Sequence, residues 1–123
     1  MKWMDRERSF WVIGGDLRQR ALARLLREDG HTVHIAGLEG EGLEPEPLGP
    51  GLALAHCVIL PLPVAVGESF VHTPLSAARL PLAQVLDCLR PGQLVCGGMI
   101  SPAVAAEMTR RGLRWADYYA REE

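Results

Sequence analysis

Phe10-Trp11-Val12-Ile13-Gly14-Gly15-Asp16-Leu17-Arg18-Gln19 changes character in its middle, and that change decides the fold. The first four residues are an apolar run of strand formers, and two glycines and an aspartate end it. From Leu17 onward Ala21, Leu22, Leu25 and Leu26 recur at helical spacing, Arg18, Arg20, Arg24, Arg27 and Glu28 fill the other face, and Gly30 stops the pattern. Thr32-Val33-His34-Ile35-Ala36 then alternates like a second strand, closing a βαβ unit of roughly thirty residues.

Outward from this unit the same grammar repeats. Residues 37–51 hold five Gly, three Pro and four Glu without periodicity and read as a polar loop. Cys57-Val58-Ile59-Leu60 is a continuous apolar run, as expected of a strand buried on both faces of a parallel sheet, and Pro61-Leu62-Pro63 ends it. Residues 67–80 read as an edge hairpin or an irregular excursion. A helix follows from Pro81 through Leu89, broken by Pro91-Gly92. Gln93-Leu94-Val95-Cys96 is a fourth strand running into Gly97-Gly98, and Ser101-Pro102 sets an N-cap before a first-turn proline for a helix over 103–111. Residues 113–118 read as a fifth strand. The expected fold is α/β: a three-layer, flavodoxin-like or Rossmann-like open parallel sheet of five strands in the order 2-1-3-4-5.

At 123 residues and 48% hydrophobic content the chain suits one soluble domain able to bury a core without staples. Thirteen Lys+Arg against fifteen Asp+Glu leave a net charge of −2, with no electrostatic footprint for nucleic acid or an anionic membrane. Lys2 is the one lysine, and the arginine excess reads first as coding bias. The charged start has no apolar signal core, and no run is long enough to span a membrane. Cys57, Cys88 and Cys96 all lie in apolar segments, which suits a reducing cytoplasm and thiols that are inert small hydrophobes. His31, His34, His56 and His72 lack metal-ligand spacing, so no metal is expected. Trp3, Trp11 and Trp115 read as packing residues.

In such a sheet the ligand crevice lies at the carboxyl ends of the strands. Gly14, Gly15, Asp16, Arg18 and Gln19 follow the first strand, Pro61 the third, and Gly97, Gly98 and Ser101 the fourth. Glycines allow close backbone approach and a helix start offers N–H donors, so two facing loops make a small-anion pocket or a pair of ordinary strand-to-helix turns. Arg18 would clamp a carboxylate, Gln19 and Ser101 would donate hydrogen bonds, and the N–H groups of Gly15 and Gly98 would complete the pocket. The spacing is not the dinucleotide fingerprint, and Asp16 beside a pyrophosphate would repel it, so this domain alone is expected to bind no cofactor tightly. No nucleophile, acid or base of recognisable geometry appears. A non-catalytic interaction or oligomerisation domain is therefore the alternative reading, supported by an apolar C-terminal half.

The pattern Val12-Ile13-Gly14-Gly15-Asp16-Leu17-Arg18-Gln19, a later strand ending Ile59-Leu60-Pro61, and Val95-Cys96-Gly97-Gly98-Met99-Ile100-Ser101 together resemble the N-terminal domain of the dipicolinate synthase A subunit, over roughly residues 9–120. The resemblance implies a substrate-side domain holding a small dicarboxylate. It also implies a following C-terminal domain that binds NADP and lies outside this chain, and a partner in the second, flavoprotein-like B subunit of dipicolinate synthase. The activity implied is oxidation of a dihydrodipicolinate-type substrate to dipicolinate in bacterial sporulation, with the isolated 123 residues inactive. A homo-oligomer is compatible with this arrangement.

Overall fold

The computed structural model describes residues 8–40, 42–67 and 69–119. Trp3 and the charged start lie outside these residues. Among them the parallel sheet consists of β1 (Ser9–Ile13), β2 (Thr32–Ala36), β3 (Cys57–Ile59), β6 (Leu94–Gly97) and β7 (Arg114–Asp117), in the order β2-β1-β3-β6-β7. All four pairings are parallel, with Val12 opposite both Ile35 and Ile59, and Ile59 opposite Cys96. This is the expected order, with two short strands inserted in the count.

Those two strands, β4 (Ala65–Val66) and β5 (Phe70–Val71), form an antiparallel hairpin of their own and not an edge of the main sheet. The hairpin folds back over the carboxyl ends of the strands. Val64 N–H donates to the Gly98 carbonyl at 2.9 Å, and the His72 carbonyl accepts from Gly15 N–H at 2.9 Å. The excursion is illegible in sequence because its backbone partners come from three distant segments.

Three helices flank the sheet among the described residues: α1 (Leu17–Glu28), α2 (Leu82–Asp87) and α3 (Pro102–Arg110). Helix α1 is capped by Asp16, whose carboxylate accepts from Arg18 N–H, and α3 by Ser101, whose hydroxyl accepts from Val104 N–H with Pro102 in the first turn. Helix α2 stops at Asp87, short of the expected Leu89. Its last turn tightens into Cys88 N–H to Val85 and Leu89 N–H to Leu86 bonds before Pro91. The loop after β2 contains an unforeseen 3-10 turn, Pro50–Leu54, which drives Leu52 fully into the core.

Strand alternation sorts the side chains into two cores. Trp11, Ile13, Val58, Leu60 and Val95 pack with α2 and α3 through Leu82, Val85, Leu86, Val104 and Met108. Val12, Val33 and Ile35 pack with α1 through Ala23 and Leu26. At about 1.5–3 kcal/mol for each fully buried large aliphatic side chain, these two layers dominate the fold. Among the described residues no buried side-chain nitrogen or oxygen lacks a hydrogen-bond partner. The Gln93 amide donates to the Leu52 and Ala55 carbonyls at 2.7 and 2.9 Å and accepts from Arg90 N–H, which ties the 3-10 turn to β6. Trp115, expected to pack, is 38% exposed, with its indole N–H donating to Thr109. No helix among the described residues is long and apolar enough to cross a membrane.

Candidate functional site

The sharp turn after β1 is built by two glycines in the left-handed region. Gly14 has φ +69° and Gly15 φ +102°, and a Cβ on Gly14 would sit 2.6 Å from the His72 carbonyl oxygen. The turn delivers Asp16 to the start of α1 and leaves a cleft of about 270 Å³ lined by Gly15, Asp16, Arg18, Gln19, Leu22, Leu62 and Tyr118. The walls are apolar, from Leu22 and Leu62, and the rim is polar. Its size is at the small end for ligand sites.

Arg18 and Asp16 form a forked pair across this rim. Nε donates to Oδ1 at 3.3 Å and Nη2 to Oδ2 at 3.0 Å, while the Arg18 side chain remains 70% exposed. The guanidinium holds the Asp16 carboxyl below the ordinary carboxylate range, chiefly through these hydrogen bonds, and the carboxylate raises Arg18 in return. Arg18 is thus oriented through Nε and Nη2, and its Nη1 edge takes no part in the pair.

Gln19 is buried at the foot of the cleft. Its Nε2 donates to the Ile59 carbonyl at 3.2 Å, locking the start of α1 onto the end of β3. The N–H groups of Gly15 and Gly98, expected to complete the pocket, donate instead to His72 and Pro61 carbonyls within the chain. Asp16 likewise takes the helix-start donors of Arg18 through its side chain and of Gln19 and Arg20 through its carbonyl. A carboxylate and N–H groups already donated within the chain thus occupy this helix start.

Pro61, Gly97 and Gly98 are buried behind the cleft and do not line it. Ser101 is on a separate hollow of about 30 Å³ with Val64, Ala65, Met99 and Val104. The structure therefore gathers Gly15, Asp16, Arg18 and Gln19 at one cleft, sets Gly14 as the turn beneath it, and leaves the β6 loop as support. His, Cys, Asp and Glu side chains form no group able to hold a metal ion among the described residues.

Sequence reading missed two residues at the end of β7, Asp117 as its last residue and Tyr118 just beyond it. The Tyr118 hydroxyl donates to the Leu60 carbonyl at 3.2 Å and closes one side of the cleft, with burial pushing its phenol up so that it stays protonated. The Asp117 carboxylate accepts from the N–H groups of Met99, Ile100 and Tyr119, pinning the β6 loop. Both lie at the strand end in a segment read only as strand, and nothing local marks them. Two cysteines read as isolated core residues, Cys57 and Cys96, are in contact, with their sulfurs 3.6 Å apart.

The fold is similar to two solved structures. Dipicolinate synthase, A chain, from Bacillus subtilis superposes with a TM-score of 0.79 at 20% identity, covering 98% of this chain and 43% of that one. The dipicolinate synthase A subunit from Bacillus halodurans gives a TM-score of 0.78 at 16% identity, covering 93% and 41%. The chain thus spans less than half the length of these solved relatives. Among curated proteins none matches. The family described as the N-terminal domain of the dipicolinate synthase A subunit matches residues 9–119. With the whole five-stranded sheet inside that match, the chain belongs to the family of dipicolinate synthase A-subunit N-terminal domains.

Proposed function

We propose that this domain forms the substrate-side wall of a dipicolinate synthase A subunit, and that Arg18 receives one carboxylate of a dihydrodipicolinate-type dicarboxylate at the cleft beside Tyr118. The observation that carries the reading is the Arg18–Asp16 fork. Asp16 spends Nε and Nη2 and holds the guanidinium plane still, while the Nη1 edge is left for a second carboxylate at the cleft. A preoriented guanidinium loses less rotamer entropy on binding than a loose one. Leu22 and Leu62 offer apolar contact to a ring, and Tyr118 a neutral hydroxyl at its edge.

The oxidation itself belongs to a nicotinamide carried by the C-terminal domain of the whole polypeptide, with the flavoprotein-like B subunit its partner, in the cytoplasm of a sporulating cell. The residues of this domain contribute binding and orientation only. Calorimetric titration of dipicolinate into the whole polypeptide carrying this domain tests the reading. Arg18→Ala should weaken binding about tenfold or more, the value of a charge-assisted hydrogen bond. Unchanged affinity in Arg18→Ala overturns the assignment.

A second reading, an interaction or oligomerisation domain, draws on the exposed sheet side at β7, where Arg114, Trp115 and Ala116 are all exposed. Light scattering separates the two. A strict monomer at high concentration that gains melting temperature with dipicolinate removes the second reading.

A further inference from the structure

Cys57 and Cys96 lie on neighbouring strands, two positions apart in register, since Cys57 pairs with Leu94 and Ile59 with Cys96. Val58, Leu60 and Val95 belong to the core under α2 and α3, so by alternation both cysteines face the other side of the sheet. On that side α1 packs against Val12, Val33 and Ile35 of β1 and β2. Over β6 and β7 no helix among the described residues covers the sheet, and Leu94 and Cys96 are half-buried while Arg114 and Ala116 are exposed. The two sulfurs therefore meet at the boundary between the α1 core and an open surface, with Cys57 buried and Cys96 reachable.

We propose that Cys57 and Cys96 form an oxidisable dithiol, a site at which a peroxide is reduced and a labile intrachain disulfide is made. Cys96 is the attacking sulfur. It is the more exposed of the two, and a hydrogen bond from the facing Cys57 thiol, the donor that leaves the more exposed sulfur as the thiolate, pulls its thiol down to about 7 against the opposing effect of burial. The same contact, with burial, pushes Cys57 up. The Cys96 thiolate attacks one peroxide oxygen, the O–O bond breaks, and the departing hydroxide takes a proton to become water. Cys96 is left as a sulfenic acid. Cys57 then gives up its proton and attacks that sulfur. The S–S bond forms, the S–O bond breaks, and the second hydroxide leaves as water. Two thiols have lost two electrons and two protons, and one peroxide has become two waters.

The bond requires the sulfurs to approach to about 2.0 Å, from a separation of 3.6 Å. Their backbones are held apart by the parallel ladder and offset along it, so the sheet resists closure. A disulfide made under that resistance is strained and readily reduced, which makes the pair a reversible site and not a staple. Cys88 supplies an internal control, because burial raises its thiol and no second cysteine is in contact with it.

In the chain carrying Cys88→Ala, one equivalent of hydrogen peroxide near neutral pH should remove both remaining thiols together, lower the mass by two hydrogens, and be reversed by dithiothreitol. Cys96→Ser should slow oxidation of the remaining thiol by about tenfold, the ratio of thiolate populations between a lowered and an ordinary thiol. Cys57→Ser should oxidise fast but stop at a dimedone-reactive sulfenic acid on Cys96. Melting curves of the reduced variants, with Cys57→Ala as a second choice, establish that each is folded. Persistence of both thiols in excess peroxide, loss only as oxygen adducts, or a rate no faster than that of Cys88 in the parent chain would each overturn the proposal.

Discussion

The two glycine pairs, Gly14-Gly15 after β1 and Gly97-Gly98 after β6, look alike in sequence and serve different physical needs. The first pair is required for its backbone angles: both residues have positive φ, and the turn they make opens beside a cleft. Neither member of the second pair has positive φ. It is required for space, since a Cβ at Gly97 would meet Val64 and one at Gly98 would meet Leu62, each at 2.5 Å. The left-handed residue of the second loop is instead Met99, with φ 56°, held by the Asp117 carboxylate through its N–H at 3.2 Å. One junction is thus open with a charged rim, and the other is plugged by side chains and clamped from β7. A glycine-rich strand-to-helix turn indicates only that something approaches closely. Whether that is a ligand or a neighbouring leucine is decided elsewhere in the chain.

Alanine substitution at three of these glycines tests this distinction most strongly. Gly14→Ala combines a left-handed φ with a clash against backbone, and urea denaturation should show a loss of about 3 kcal/mol. Gly97→Ala, facing the fully buried Val64 and Leu60, should cost about 2 kcal/mol, and Gly98→Ala, facing the half-buried and movable Leu62, about 1 kcal/mol. A loss at Gly98 equal to that at Gly14 would erase the difference between an angle requirement and a space requirement.

The clamp is the next target. Asp117→Ala leaves the N–H groups of Met99, Ile100 and Tyr119 without their acceptor and should destabilise by about 2 kcal/mol, with faster amide exchange at Met99 and Ile100 in NMR. Exchange at Gly15, bonded to His72, should not change. Equal loosening of both loops would mean that the two junctions are one cooperative unit.

The smallest effect is acid loosening, and it too should separate the junctions. Asp16 caps α1 and its folded carboxyl lies below the ordinary 3.8, so its contribution is complete above that pH and is lost as pH falls through the lower folded value. Ser101 caps α3 without a titrating group, but Glu107 within α3 is held down to about 2 by Arg110 and Arg111, so its contribution fades between about 4.5 and 2. Melting temperature followed into acid should keep the Glu107 phase in Asp16→Asn and lose it in Glu107→Gln. Both groups are half-buried and reach solvent, and each phase should shrink in high salt.

Much of this is readable because it is local. The change from strand to helical period at Gly14-Gly15-Asp16, the caps Asp16 and Ser101-Pro102, and the apolar runs at Val12, Val58 and Val95 each depend on residues a few positions apart. The rule that parallel strands need right-handed crossovers then leaves few sheet orders. The hairpin Ala65–Val66 with Phe70–Val71 is not readable, because its strands are two residues each and its hydrogen bonds go to Gly98, Leu80 and Gly15. Nor are the partners of the site residues: Gln19 reads as a donor for a ligand, and only the tertiary structure shows that its Nε2 already donates to the Ile59 carbonyl.

By itself, then, the amino-acid sequence determined the alternation of elements, the strand order and the loop on which a cleft would form, because periodicity, capping and chain connectivity act over short distances. Tertiary structure alone decided which N–H groups were already taken, that Tyr118 walls the cleft, that Asp117 clamps the opposite loop, and that Cys57 and Cys96 touch. Those facts depend on lateral register and on loop packing between segments up to 58 positions apart, and no local pattern carries that information.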